Sequence, residues 1–518
     1  MIPASRFRFS ALGLALGLLC SGAAWSAADT TRVIVAFKPG KAAEARAAVT
    51  AARGQHKLDI LGMDAMAVEV PAAALNGLSR NPNVEYVEED VRRYPYAGTS
   101  PSTGTPYATG QLVPWGIKAV QADQLAGTDA SSRKVCIIDS GYARGHADLS
   151  AGSNVTGEYD SGTGWWYTDE NHHGTHVAGT ISALNNATGV VGVSENQSLK
   201  LHIVKVFDAA GWAYSSTLAN AAEKCRLAGA NVISMSLGGS VSNRTEDSKF
   251  NQLLNTYNIL SIAAAGNDGN TRTSYPAGYA SVVSVAAVAE DNTLASFSQR
   301  NKDVEIAGPG VNVLSTVPNG AGQLITLSVG TTTYAPGGME GSPMGSVTAP
   351  LADFGLGGTA TAGSMTGKVC LIQRGTYDFA VKVNNCAASG GVGAVVYNNV
   401  AGSFGGTLGT TVTNIPSVTA SDTEGAAMKN QLGQTASVGV APWDYAYFDG
   451  TSMATPHVSA VAAVVWARNL NCTASQLRTS LNLSAKNLGV AGRDSSFGYG
   501  LIQARDADAR IKALGCGK

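Results

Sequence analysis

Residue 452 is a serine with the local sequence of a nucleophile. It stands in Asp449-Gly450-Thr451-Ser452-Met453-Ala454-Thr455-Pro456-His457, ahead of the apolar, helix-like run 458–466. Glycine and threonine before a serine at a helix start hold it on a tight turn, with free N–H groups and the helix dipole beside it. Those groups suit a carbonyl under attack, because the negative charge developing on its oxygen finds donors there. The same residues can also be a plain helix cap, so the reading depends on partners elsewhere. A hydroxyl nucleophile needs a base to take its proton. The base needs a carboxylate to orient it and stabilise its cation. Asp139 closes the apolar run 134–138, and His173 lies in Asn171-His172-His173-Gly174-Thr175-His176-Val177-Ala178-Gly179. These are the complementary groups. The histidines also invite a zinc reading, but a catalytic zinc takes three protein ligands and the chain holds no H-E-x-x-H. His176 is read as a structural helix residue; His172 has no assigned role.

What must position these groups is a run of alternating strands and helices. Residues 134–138, apolar after Lys134, form a strand of the kind buried in a parallel sheet. The pattern continues with helix 174–183, strand 201–206, helix 216–228, strand 232–235, helix 250–257, strand 260–264 and strand 282–287. Repeated βαβ units with apolar strands predict a doubly wound parallel sheet with helices on both faces. Sites in such sheets gather at the carboxyl ends of strands, where Asp139 and Asn267 fall. Ahead of this domain, residues 31–90 read as strand-helix-strand-helix-strand, an α+β unit of modest core: strands at 32–37, 66–70 and 84–88, helices at 42–52 and 71–78. Residues 94–109, rich in Pro, Gly, Ser and Thr, read as an exposed linker. Residues 319–442, rich in Gly, Thr and Val, read as a β-rich insertion with strand 369–372, helix 378–388 and strand 393–397. The insertion interrupts the main domain just before Ser452.

With 518 residues the chain exceeds one ordinary domain. Its 44% hydrophobic and 14% charged residues exclude a disordered chain. A net charge of −1 argues against nucleic-acid binding. Arg6 and Arg8, an apolar stretch 11–19 and small residues Ser26-Ala27-Ala28 read as a secretory signal cleaved after Ala28. The stretch is too short to anchor in a bilayer. Six of the seven cysteines follow that point, an even number that fits an oxidising compartment. Proximity favours Cys370–Cys386 and Cys472–Cys516, which leaves Cys136 and Cys225 to pair or to remain buried thiols.

Asp139-Ser140-Gly141, His173-Gly174-Thr175-His176-Val177-Ala178-Gly179-Thr180 and Gly450-Thr451-Ser452-Met453-Ala454-Thr455-Pro456-His457 resemble, in order, the three signature boxes of the subtilisin-like serine proteases. The resemblance covers residues 111 to about 318 and 445 to the C-terminus. It implies Ser452 as nucleophile, His173 as general acid and base, and Asp139 as orienting carboxylate. Ala263-Ala264-Ala265-Gly266-Asn267 is similar to the family's oxyanion-hole strand, which implies that the Asn267 amide donates to the oxyanion. Ser236-Leu237-Gly238 and Gly211-Trp212-Ala213 resemble the strands that hold the substrate backbone. Ala264, Ala265 and Gly266 would line the pocket for the residue before the cut bond, with Ser274 near its base. No charged side chain falls there, so an apolar or aromatic residue is expected. Gln111, Asp148, Leu184, Asn186, Thr188 and Val190 match the family's strong Ca²⁺ site, a structural cofactor.

The resemblance extends to the flanking parts. Residues 32–90 resemble the family's inhibitory propeptide, whose tail occupies the groove until it is cut, somewhere within 92–110; Tyr94, Tyr96 and Tyr107 are all candidates for the residue before that cut. Gly367-Lys368-Val369-Cys370-Leu371-Ile372-Gln373-Arg374-Gly375, residues 379–385 and Gly393-Ala394-Val395-Val396-Tyr397-Asn398-Asn399 look like a protease-associated (PA) domain, a module that guides substrates or serves as a spacer. The expected division is 1–28 signal peptide, 29–109 propeptide and linker, 110–318 and 443–518 catalytic domain, and 319–442 PA insertion. The expected protein is a secreted, calcium-stabilised, monomeric serine endopeptidase made as a zymogen and acting on polypeptides. A non-catalytic polypeptide-binding protein is disfavoured by the intact Asp, His, Asn and Ser. An esterase is disfavoured by the lack of G-x-S-x-G at Ser452.

Overall fold

The computed structural model describes residues 30–96 and 110–518, with the backbone of residues 98–99. The expected signal peptide and Tyr107 lie outside the described residues.

The apolar runs form a seven-stranded, all-parallel sheet. Its spatial order is Ile306–Pro309, Val282–Val288, Leu260–Ala264, Val232–Met235, Lys134–Asp139, Lys200–Lys205, Val155–Gly157. Within this sheet the chain begins in the middle, crosses to the edge strand Val155–Gly157, fills the gap with Lys200–Lys205, then returns to build outward to the other edge. The reversal falls between Lys134–Asp139 and Val232–Met235, which puts the carboxyl end of the first strand, and Asp139, beside a crevice. Helix Thr451–Arg468 is buried from Thr451 to Trp466. Apolar on every side, it can sit only in the middle of a core. It packs against five of the strands and against helix His173–Ser182. Pro456 lies inside it and has no N–H to give the Ser452 carbonyl; that carbonyl accepts from the Ser236 hydroxyl at 2.7 Å instead.

Helix Arg244–Asn255 begins six residues before the expected start. Its first turn is polar and carries no apolar period; it is fixed by the Asn243 side chain, which accepts from the Glu246 N–H at 3.0 Å.

The N-terminal unit is a four-stranded antiparallel sheet, ordered Gln55–Asp59, Ala65–Pro71, Thr30–Phe37, Val84–Glu89. The edge strand Gln55–Asp59 was not expected: it is polar and mostly exposed, so it lacks alternation. The sheet lies on the catalytic domain. Ile34, Ala36 and Ile60 pack on Ala219. The Asp90 carboxylate accepts from the Ser216 N–H at 2.9 Å, and Glu88 accepts from the N–H groups of Arg244 and Thr245 at 2.7 and 2.9 Å. Two carboxylates thus sit on the N-termini of two helices, where the dipole favours them.

The insertion has its own seven-stranded mixed sheet with helices Phe379–Ala388 and Asp422–Lys429. It enters by Gly322–Val329 and leaves by Thr435–Trp443, which pair antiparallel from Gly322↔Trp443. Directly below, Val313–Thr316 pairs with Tyr445–Asp449. This ribbon ends three residues before Ser452. Disulfides join Cys370 to Cys386 and Cys472 to Cys516, and the open question at Cys136 and Cys225 closes with a third bond between them.

Candidate active site

Asp139 ends its strand wholly buried, and its Oδ1 accepts from His173 Nδ1 at 2.7 Å and from the Ser140 N–H at 2.7 Å. His173 opens its helix after His172, whose backbone is left-handed. Asp169 fixes this entry: its carboxylate accepts from the N–H groups of Asn171, His172 and Thr175 and from the Ser140 and Thr175 hydroxyls. Sequence reading missed Asp169, because a carboxylate four residues before a histidine has no distinctive pattern. With Nδ1 bound to a carboxylate, the imidazole presents Nε2, which is buried and has no hydrogen-bond partner among the described residues.

Ser452 does not hydrogen-bond to His173 in this conformation; its Oγ donates to the Ser236 carbonyl at 2.8 Å. Its N–H, one of the unsatisfied donors of a helix N-terminus, points to the Tyr96 carbonyl at 3.3 Å. Asn267 Nδ2 donates to the same oxygen at 2.9 Å. The Asn267 amide is oriented from behind, where its Oδ1 accepts from the Thr451 N–H at 3.0 Å and the Thr451 hydroxyl at 2.8 Å. Two donors converging on one carbonyl oxygen beside a serine can stabilise an oxyanion.

The carbonyl belongs to a peptide already in the groove. Strand Arg92–Pro95 pairs antiparallel with Ala213–Tyr214 on one side and Leu237–Gly238 on the other, and the Tyr96 N–H donates to Ser236 O at 3.2 Å. Main-chain bonds of this kind hold a peptide largely regardless of its sequence. Further along the chain, residues 98–99 pair with Phe448 and Asp449 on the ribbon that carries the insertion. The Tyr96 hydroxyl meets Ser274 Oγ at 2.7 Å. Gly238 walls that pocket: a Cβ there would lie 2.6 Å from both the Tyr96 ring and Ser274 Oγ. Ala264 and Ala265 are buried beside the Gly266 turn. Trp212 lies outside, stacked under the Arg92 guanidinium, next to Gly211 in a left-handed turn. Residues 94–96 are thus held in the groove rather than free as linker.

The expected metal ligands also come together. Gln111 Nε2 lies 2.6 Å from Leu184 O, 3.0 Å from Thr188 O, 3.4 Å from Val190 O and 3.5 Å from Asn186 Oδ1. Four oxygens are two more than an amide has protons to give. Asp148 Oδ1 is buried with no hydrogen-bond partner among the described residues, and burial pushes this carboxyl up. Turned over, the Gln111 amide would add its oxygen to an all-oxygen cage, a donor set that fits Ca²⁺.

His176 is the structural residue expected. It stacks on Phe448 at 4.3 Å, and its Nε2 faces the carbonyls of Val313 and Ala446. Burial pushes it down to about 3, and His457 down to about 4. Unfolded, both protonate near 6.5. Their contribution to stability is therefore complete above about pH 6.5 and is lost as pH falls toward 4, because the unfolded chain takes up protons that the folded chain refuses. In protein blocked with a serine-protease inhibitor, guanidinium unfolding is expected to show lower stability at pH 4.5 than at pH 7. His457→Gln should shrink that difference by about 2 kcal/mol.

Residues 130–352 match the model of the subtilase family and residues 346–428 that of the PA domain. Subtilisin amylosacchariticus of Bacillus subtilis subsp. amylosacchariticus is 34% identical over 320 residues, covering 59% of this chain and 78% of that one. The chain belongs to the subtilase family. This subtilase is a serine endopeptidase, and it carries a PA domain. M-protease of Shouchella clausii is 37% identical over 258 residues, 49% of this chain and 62% of the relative. Among solved structures, the psychrophilic subtilisin-like protease Apa1 of Pseudoalteromonas sp. AS-11 superposes with a TM-score of 0.65 at 44% identity, over 79% of this subtilase and all of that chain. Fervidolysin of Fervidobacterium pennivorans shares the fold, with a TM-score of 0.59 at 21% identity, over 93% of this subtilase and 61% of that chain.

Proposed function

We propose that Ser452, His173 and Asp139 cut peptide bonds through an acyl-enzyme, and that the first bond cut is the chain's own, between Tyr96 and Ala97. The observation that carries this reading is the Tyr96 carbonyl held by the Ser452 N–H and Asn267 Nδ2. Rotation about the Ser452 Cα–Cβ bond brings its hydroxyl from Ser236 O to the unpartnered His173 Nε2. Oγ then bonds to the Tyr96 carbonyl carbon as its proton passes to Nε2. Asp139 stabilises the imidazolium, and the two donors stabilise the oxyanion. The bond to Ala97 breaks as Nε2 returns the proton to the departing amine. Water, deprotonated by His173, releases the acyl group. Sequencing the N-terminus of the self-processed protein should read Ala97 first; a first cut after Tyr94 or Tyr107 would refute the assignment.

In this reading residues 30–96 form an inhibitory pro-segment, held by Asp90, Glu88 and the groove strands, and the protein is a secreted zymogen. The domain division is 1–28, 29–109, 110–318 with 443–518, and 319–442. A buried aromatic site with Ser274 at its base supports preference for an apolar or aromatic residue before the cut, tyrosine above all.

Gln111, Asp148, Leu184, Asn186, Thr188 and Val190 hold a structural Ca²⁺, which ties the start of the mature chain to the loop at 184–190. At calcium 100-fold above its dissociation constant the ion adds about 2.7 kcal/mol. A chelator is therefore expected to shorten the half-life of activity at elevated temperature. Asp148→Asn should give the shortened half-life without chelator and little further response to it.

A further inference from the structure

The pro-segment residue four before the cut makes a contact that the main-chain scheme does not require. Arg93 is only 1% exposed. Its Nε and Nη2 donate to Glu246 Oε1 and Oε2 at 3.0 and 2.7 Å, and Nη2 also donates to Val241 O at 3.0 Å. Glu246 belongs to the catalytic domain, at the third position of helix Arg244–Asn255. A glutamate there commonly turns back to the capping residue's N–H. Here the Tyr279 hydroxyl accepts from the Asn243 N–H at 2.7 Å and lies 2.9 Å from Glu246 Oε2, which leaves the carboxylate facing the groove. Gly239 makes room beside it: a Cβ would stand 3.0 Å from Arg93 Nη1. The neighbouring positions of the peptide are unlike this one. Tyr94 is 44% exposed, and Arg92 rests on the outer face of Trp212.

We propose that Glu246 is the floor of a binding subsite that selects arginine four residues before the cut. This rests on the assignment of Tyr96–Ala97 as the bond cut. When the pro-segment leaves, Glu246 loses its only ion-pair partner among the described residues. A substrate taking the same path either supplies a cation or leaves that carboxylate buried and unpaired, which is costly. A planar guanidinium meets both carboxylate oxygens at once; an ammonium meets them as a single point, so lysine ranks second. Selection therefore acts at two places, an aromatic residue next to the cut and a guanidinium four residues away. The position of Tyr94 is permissive.

The test uses self-processed protein and acetyl-Xaa-Tyr-Pro-Tyr-anilides, with Xaa arginine, lysine, citrulline or norleucine. Citrulline keeps the shape of arginine without its charge. For the wild type, kcat/KM should be about 30-fold or more higher for arginine than for citrulline or norleucine, with lysine between. In Glu246→Gln the arginine-to-citrulline ratio should fall to within about threefold of one. If the wild type cuts all four peptides equally, the subsite is wrong while the protease assignment stands; the same holds if Glu246→Gln keeps the arginine preference. If the wild type cuts none of them, the assignment of the cut bond falls and the subsite with it. The wild-type comparison needs no variant, so a folding defect in Glu246→Gln does not blunt it.

Discussion

Ser452→Ala leaves the chain uncut after Tyr96 and lowers turnover of casein by about a millionfold, the loss known when the corresponding serine is removed from subtilisin, a relative of this chain. The reason is local. Alanine keeps the helix start, its N–H to the Tyr96 carbonyl and the Asn267 donor at 2.9 Å, so binding and oxyanion stabilisation survive. What is lost is the hydroxyl placed to attack. The variant should fold, retain residues 30–96 as part of one polypeptide, and show a single band at the size of the uncut chain where the wild type shows two fragments. A Ser452→Ala protein that still matures to Ala97 in a protease-deficient host would contradict the role given to this serine.

Asp139→Asn is expected to lower kcat by about 10⁴ with little change in KM. The substituted side chain fits, because an amide oxygen can still accept from the Ser140 N–H, as Oδ1 does now at 2.7 Å. The charge is what goes. A neutral amide stabilises the imidazolium poorly and no longer enforces the proton on Nδ1, so Nε2 ceases to be a ready acceptor. Steady-state kinetics on a tyrosyl anilide at neutral pH measures this; a loss under tenfold would show that the pair at 2.7 Å is structural.

Much of this was legible in the sequence because the chemistry sits in compact local patterns. Asp139 closes an apolar strand, His173 opens a helix, and Ser452 lies in the first turn of a buried one, so each sits where strand or helix ends must sit. The residues proposed to hold Ca²⁺ were singled out only by their likeness to the family's spacing, since a loop with one carboxylate has no pattern of its own. Other features depend on pairs far apart in the chain. Nothing near Arg93 announces Glu246, 153 residues away. Tyr94, Tyr96 and Tyr107 are equivalent as residue types; only the register of Arg92–Pro95 against Leu237–Gly238 separates Tyr96. Gln55–Asp59 hid because an exposed edge strand has no face to bury. The start of helix Arg244–Asn255 hid because its first turn packs by charge and capping rather than by apolar contact.

The same register gives the PA insertion a position with consequences. The strand that leaves it runs through Asp444 into Tyr445–Asp449, which pairs with residues 98–99 and ends three residues before Ser452. With the proposed cut after Tyr96, a shift of the insertion on its ribbon is expected to act on the far side of that cut, where residues 98–99 pair.

Ser452 acts as a nucleophile activated by His173 in the proposed mechanism. An active-site-directed fluorophosphonate tests it most directly, followed by digestion and peptide mapping of the processed protein. One phosphonyl group per chain is expected, carried by Ser452, with proteolysis lost in proportion, and no labelling in His173→Ala. Inactivation with the group on another residue, or full proteolytic activity with Ser452 labelled, would contradict it.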